Sequence, residues 1–328
     1  MSGSAAFESA HVVSIPMRVR FRGIEVREAM LLEGPKGWGE FSPFLEYDDV
    51  ESARWLAAAL EAAHVGWPPA VRDRVPVNAT VPDVAAADVD AVLARFPGCT
   101  TAKVKVGGLL REDVDRVAAV RSALGPGGRV RVDANAAWSV PDAVAALTAL
   151  APYDLEYAEQ PCTTVEELAA LRVALARAGV DVLVAADESV RKAEDPLRVA
   201  LAGAADVVVL KVSPLSGVWR ALEVAQACGL PVVVSSALDT SVGISAGVAL
   251  AAALPDLPYA CGLATTSLMA SDVADLLTVD GALPVRPVVP DPARLEALAA
   301  PADRRAWWLA RAQRCAALLP PVPGRLAG

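Results

Sequence analysis

The sequence predicts an α/β protein: a (β/α)7β TIM-like barrel with an α+β capping domain built from both termini. Three observations predict it. Between residues 75 and 285, short β-branched runs alternate with Ala-rich stretches at a repeat of about 26 residues, the rhythm of parallel strands joined by crossover helices. The Ala-rich stretches carry apolar residues at helical spacing and end on Gly, which supplies the left-handed turn that stops a helix. The flanks lack this rhythm and must build something else.

In chain order, the first flank reads as a meander, VVSIPMRVRF, IEVREAMLLEG and GWGEFSPF, followed by a helix, ESARWLAAALEAA. Eight strands come next: VPVNATV (75–81), TAKVKVG (101–107), RVRVDANA (129–136), LEYAEQP (155–161), VLVAADES (182–189), DVVVLKVS (206–213), PVVVSSALD (231–239) and PYACGLA (258–264). Helices such as EDVDRVAAVRSALG, TVEELAALRVALARAG and GVWRALEVAQACG lie between them. GPGG (125–128) precedes a strand instead of opening a helix, so it reads as a turn and not as a phosphate cradle. Past residue 285, RPVVPDP leads into helical RRAWWLARAQRCAALL. Because chain termini commonly lie close together, residues 1–74 and 286–328 are expected to form one cap over a catalytic barrel of residues 75–285. The seven tryptophans are expected to pack that cap onto the barrel.

Bulk chemistry narrows the partners. The net charge is −9 with no basic run, which argues against nucleic acid. No charged-then-apolar leader opens the sequence, and no apolar stretch is long enough to cross a bilayer. Five scattered cysteines form no CxxC pair, so neither a disulfide framework nor a zinc site is expected. These features suit a cytoplasmic protein without membrane contact and without an obligatory protein partner. His11 and His64 fall in the cap and join no site.

The lysines carry the chemical signal. Only five of the 30 basic residues are lysines: Lys36, Lys103, Lys105, Lys192 and Lys211. Lys103, Lys105 and Lys211 sit in apolar strand runs, where an unpartnered ammonium loses much of its hydration. Lysine, unlike arginine, can shed and regain a proton near neutrality once burial lowers its pKa. In a β/α barrel, side chains at the C-terminal strand ends converge on one mouth. Those ends hold Lys103 and Lys105, Asp133 and Asn135, Glu159, Asp187 and Glu188, and Lys211. From Lys105 to Asp133, Glu159, Asp187 and Lys211 the steps are 24 to 28 residues, one polar group per βα unit at one height.

Three carboxylates side by side in a low-dielectric mouth repel unless a cation neutralises them. Oxygen ligands without His or Cys suit a hard ion, so Mg²⁺ is the expected cofactor, held by Asp133, Glu159 and Asp187. A divalent cation flanked by lysines suits removal of a proton from the carbon beside a carboxylate. The expected partner is therefore a small-molecule carboxylate. Lys103 either acts on it or only pairs with a carboxylate. Asn135 shares a face with Asp133 and either touches substrate or satisfies backbone groups. Ser235, Ser236 and Gly262 lie at strand ends where a substrate carboxylate would find hydroxyl or backbone donors, and Ser236 and Gly262 are the expected contacts. Glu188 is expected to turn away from Asp187 into a structural ion pair. MRVRFRG (17–23) is either a lid over the mouth or an exposed basic hairpin.

The motifs KVK (103–105), DAN (133–135), EQP (159–161), DES (187–189) and the strand lysine Lys211 resemble, in order and strand position, those of the muconate-lactonizing subgroup of the enolase superfamily. FRGIEVREAMLLEG, GWGEFSPFLEYDD, SSALDTSVG and CGLATTSLMASDV extend the likeness over nearly the whole chain and are similar to the actinobacterial o-succinylbenzoate synthase family of menaquinone biosynthesis. The resemblance implies that Asp133, Glu159 and Asp187 ligate the metal. It implies that Lys105 takes the proton α to the carboxylate of a cyclohexadiene and returns it to the departing hydroxyl on the same face, leaving an aromatic ring. Lys211 would act electrostatically from the other face, through cation–π contact with the ring. Lys103 would neutralise the substrate carboxylate and depress the pKa of Lys105. Asp239 stands where many relatives carry Glu, and KVSPLSGV after Lys211 lacks the paired glycines of racemising relatives. The alternative left open is an N-acylamino acid racemase or a cycloisomerase using the same two lysines.

Overall fold

The computed structural model describes residues 7, 9–21, 23–191 and 198–320; Arg22 of the 17–23 stretch and Lys192 lie outside the described residues. The N-terminal part runs β1 (His11–Phe21), β2 (Ile24–Gly34), β3 (Gly37–Phe41) and α1 (Asp49–His64). The central part runs β4 (Arg74–Pro76), β5 (Ala79–Val81), α2 (Val89–Leu93), β6 (Thr101–Lys105), α3 (Leu110–Leu124), β7 (Arg129–Asp133), α4 (Val140–Leu150), β8 (Leu155–Glu159) and α5 (Val165–Ala178). It continues with β9 (Val184–Ala186), α6 (Glu188–Arg191), α7 (Arg198–Leu201), β10 (Val207–Leu210), α8 (Val218–Cys228), β11 (Val232–Val234) and α9 (Ser241–Ala253). Then come β12 (Ala282–Pro284), α10 (Pro292–Ala297) and α11 (Ala302–Leu318).

β1, β2 and β3 form the antiparallel meander of the cap. α1 lies tight against it: a Cβ on Gly39 would sit 2.0 Å from the Ala59 carbonyl oxygen, and one on Gly34 would sit 2.2 Å from that of Ala63. Only glycine permits that approach. α11 closes the cap from the other terminus. Trp308 is fully buried beside Phe41, ring centroids 5.6 Å apart, and donates to Glu28 Oε2 at 3.0 Å. Arg311 ties the same helix to the chain around α1, donating to Tyr47 O at 2.6 Å and Ser52 Oγ at 2.8 Å. The tryptophans divide in a way the sequence does not predict. Trp55 and Trp308 fill the cap's own core, Trp138 packs on the barrel and Trp219 is 46% exposed. A small cap needs large side chains to build a core of its own.

β5 to β11 form one seven-stranded parallel sheet in sequence order, as the repeat requires. Two expected strands change. The 75–81 run splits, because Pro76 has no N–H to donate to a ladder; its first half pairs antiparallel with β12 and only Ala79–Val81 joins the barrel sheet. Residues 258–264 form no strand. They close the ring through two single parallel bridges, Val77↔Cys261 and Ser235↔Gly262. Pro258 and Gly262 both oppose a longer ladder.

Apolar residues between sheet and helices make the main core, while the barrel interior is polar toward the mouth. Below the strand ends, Arg131 is fully buried with its guanidinium 4.8 Å from the Tyr157 ring and 5.7 Å from Tyr259. It donates to Glu156 Oε2 at 2.5 Å and Ala260 O at 2.6 Å. This layer plugs the barrel floor. Among the described residues no helix is long and apolar enough to cross a membrane.

Candidate active site

Parallel register assembles the site. Lys105 pairs with Asp133, and Asp133 with Glu159, across β6, β7 and β8. Asp187 and Lys211 are the first residues beyond β9 and β10. Residues i and i+2 share a strand face, so Lys103 lies one layer below Lys105 and Arg131 one layer below Asp133. The structure therefore brings together Lys103, Lys105, Lys211, Asp133, Glu159 and Asp187, each side chain at most 14% exposed. At that burial their charges act in a low dielectric.

Each carboxylate meets an ammonium. Lys103 Nζ donates to both Glu159 oxygens at 2.9 Å and lies 3.2 Å from Asp133 Oδ2. Lys105 Nζ donates to Asp133 Oδ2 at 2.5 Å and to Asn135 Oδ1 at 2.7 Å. Lys211 Nζ donates to Asp187 Oδ2. Asn135 thus steadies a lysine, and Lys103 pairs with a carboxylate as one expectation had it.

The electrostatics separate these groups. Burial first, and the Lys103 charge after it, hold the Lys105 amine below the ordinary lysine range against the pull of Asp133. For Lys103 burial works in the same direction, but Glu159 and Asp133 outweigh it and keep the ammonium charged. Burial works to raise Asp133, yet Lys105 and Lys103 hold it well below the usual carboxylate range. Glu159 is pushed up to about 7 by burial and then by the Asp133 charge. Burial thus costs the Glu159 carboxylate more than its Lys103 partner returns.

That unmet cost bears on a metal. Among the described residues no three His, Cys, Asp or Glu side chains are gathered as a metal-binding group; the ammoniums stand on the oxygens an ion would use. The donor set itself fits a hard divalent cation: three buried carboxylates on neighbouring strand ends, one of them under-neutralised. Asp133, Glu159 and Asp187 are the residues that could hold it.

The cleft above has walls from both parts of the chain. Phe21, at the end of β1, lies with its ring 5.4 Å from Lys105 Nζ, and Phe44 and Leu238 line the same space. The open volume is about 30 Å³, room for a water or two. The 17–23 stretch combines features of both expectations. Arg18 and Arg20 are exposed, Arg18 donates to Met269 O at 2.8 Å, and Phe21 is buried over the lysine.

Three expected positions need correction or narrowing. Gly262 lines the cleft, but its N–H is committed to Val234 O at 2.8 Å, so it offers no backbone donor to a ligand. Its missing Cβ would lie 2.5 Å from Ser235 Oγ, so its role is to let the ring close. Ser236 Oγ donates to Gly262 O at 2.9 Å and lies 2.8 Å from Thr265 Oγ1. Glu188 does not turn away; Asn135 Nδ2 lies 3.5 Å from its Oε1. A helix begins at Glu188, so strand alternation no longer sets its direction. Sequence reasoning had Phe21 only as part of the 17–23 stretch, and it missed Phe44 and Thr80, which line the cleft, and Arg131 beneath it. Arg131 alone had a local signal, its i+2 relation to Asp133 in RVRVD.

Fold and site geometry define an enolase-like protein. Residues 85–288 match the family described as enolase C-terminal domain-like, and residues 12–63 match enolase N-terminal domain-like. The muconate lactonizing enzyme of Pseudomonas putida superposes with a TM-score of 0.73 at 19% identity, covering 89% of this chain and 98% of that one. An N-succinyl Arg/Lys racemase from Bacillus cereus does so with a TM-score of 0.73 at 19% identity, covering 88% and 96%. The chain is 61% identical over 317 residues to the o-succinylbenzoate synthase of Mycolicibacterium smegmatis, covering 95% of this chain and 96% of that protein. It is 57% identical to that of Mycobacterium leprae, covering 97% and 94%. The chain belongs to the o-succinylbenzoate synthase branch of the enolase-like family.

Proposed function

We propose that this chain is an o-succinylbenzoate synthase, a lyase that removes the proton α to the carboxylate of a cyclohexadiene and expels water to leave an aromatic ring. The 61% identity over 95% of the chain carries that reading. Asp133, Glu159 and Asp187 would hold one Mg²⁺, which when bound supplies positive charge to the substrate carboxylate as the α-carbon loses its proton.

The remaining work falls to side chains. Lys105, its amine depressed by burial and by Lys103, takes the α-proton; the C–H electron pair moves into the ring. The C–O bond then breaks as that pair forms the new ring double bond; the hydroxyl leaves with the C–O pair and receives the proton from Lys105, so water departs and the amine is neutral again. Asn135 orients Lys105 throughout. Lys211, paired to Asp187, offers a fixed positive charge to the opposite side. Lys103 balances Glu159, and Ser236, its hydroxyl donated to Gly262 O, holds the cleft wall beside the substrate. Phe21 and Phe44 keep water from the cleft. Residues 1–74 with 286–328 serve as the cap and 75–285 as the catalytic barrel. Five free thiols suit a reducing cytoplasm.

The test is dehydration of the cyclohexadiene substrate with Mg²⁺, run beside α-proton exchange of N-acylamino acids in D₂O. Dehydration is expected. Exchange without dehydration would transfer the site to racemase chemistry.

A further inference from the structure

Arg27, Glu40 and Asp239 form a buried polar cluster between cap and barrel that the chemistry above does not use. They are 3%, 5% and 5% exposed. Arg27, on β2, donates through Nε to Leu238 O at 2.9 Å and through Nη2 to Ala237 O at 3.3 Å and to Ser42 O. Its guanidinium also lies 4.9 Å from the Phe44 ring. Glu40, on β3, accepts from Thr240 N at 3.1 Å, Thr240 Oγ1 at 2.5 Å and Gly243 N at 2.9 Å. It therefore caps the start of α9 from another part of the molecule. Asp239 Oδ2 accepts from Ala237 N at 2.9 Å within the loop.

This loop is one wall of the cleft. Ala237 and Leu238 line it together with Lys105, Asp133 and Lys211. Leu238 is held at φ +64, a left-handed conformation that leucine adopts only when its surroundings impose it. The cluster that imposes it leaves no slack: a Cβ on Gly243 would lie 2.6 Å from Asp239 Cβ and 2.9 Å from Glu40 Oε2. Arg27 touches both a cap wall, through Phe44, and a barrel wall, through Ala237 and Leu238.

We infer that Arg27 and Glu40 are positioning residues: from the cap Arg27 holds residues 237–238 and Glu40 anchors the start of α9 that follows them, and together they fix the width of the substrate cleft. The inference rests on the functional reading of that cleft. Neither residue reaches the reacting atoms, so each acts on how tightly the substrate sits rather than on proton transfer.

The full chain with Arg27→Lys tests it, because one ammonium cannot span three carbonyls on two segments. Glu40→Gln is the second variant; its amide can donate to Ser42 Oγ, which now donates to Glu40 Oε1 at 2.6 Å, so the fold is kept. Steady-state dehydration yields kcat and KM, and calorimetry yields the affinity for o-succinylbenzoate. In Arg27→Lys, KM and the product dissociation constant should rise together by about tenfold, the worth of one net hydrogen bond, with kcat within about threefold. Glu40→Gln should move both the same way by about threefold. Parental KM and product affinity in the folded variants, or a fall in kcat at unchanged KM, would overturn the proposal. Should Arg27→Lys not fold, Glu40→Gln decides alone. A parent chain that turns over and binds product upholds the assigned activity whatever the variants do, whereas an inactive parent overturns both.

Discussion

Replacing Lys105 by alanine should abolish turnover while leaving metal binding intact. The buried centre sets three carboxylates against three ammoniums, and removing Lys105 leaves it one negative charge richer. Asp133 keeps Lys103 at 3.2 Å, so its carboxylate does not become an unpaired buried charge. A cation entering the variant no longer faces the Lys105 ammonium; unit charges 4 Å apart interact by about 4 kcal/mol at an effective dielectric of 20. Mg²⁺ affinity should therefore hold or rise. Turnover behaves oppositely. One positioned acid or base contributes roughly 10²–10⁴-fold, and Lys105 serves in both steps, so kcat should fall by at least about 10⁴-fold, roughly 5.5 kcal/mol in the barrier. Ultraviolet absorbance of the aromatic product follows dehydration, and calorimetric titration of the same preparation follows Mg²⁺. A kcat within tenfold of the parent would remove Lys105 from its role. Lost Mg²⁺ binding would show instead that the lysine builds the site.

Lys211→Arg keeps a positive charge but gives up proton transfer near neutrality; in a dehydration it should retain activity within about 100-fold, and a loss as deep as that of Lys105→Ala would point to a two-base racemase. Glu40 is pushed up to about 7 from 4.5 by burial and then by Asp239. Between those values the folded chain holds a proton that the unfolded chain has released, so stability falls as pH rises through 4.5 to 7, by roughly 3 kcal/mol once pH exceeds 7. Glu159 is raised to about 7 as well and contributes its own loss, so urea unfolding at pH 5 and pH 8 should show a larger loss in the parent than in Glu40→Gln; equal losses in both would refute it. Trp308→Ala empties a fully buried site between Phe41 and Glu28 and should cost about 3–5 kcal/mol in urea unfolding, whereas a cost near 1 kcal/mol would mean that α11 is not part of the cap core.

How far the site could be read beforehand varies residue by residue. Lys105, Asp133 and Glu159 stand in register because β/α repeats of nearly equal length return each strand end to one height. Lys103 and Arg131 follow from strict alternation two residues earlier. Alternation fails where the backbone leaves the strand, and that is why Glu188 was misdirected. The eighth strand was overdrawn for a related reason: PYACGLA has strand-like composition, but Pro258 and Gly262 reduce its pairing to two bridges.

By itself, then, the sequence determined the barrel, its strand order and the inward set of lysines and carboxylates, since period-two alternation and repeat length are local properties that any stretch of chain carries. Only the tertiary structure decided what covers that set. Phe21 and Phe44 reach the cleft from the cap, and Arg27 and Glu40 grip the loop beside Leu238 across 211 and 200 residues of chain. Contacts so distant in sequence leave no periodic mark on either partner, because they depend on how two separately formed surfaces meet.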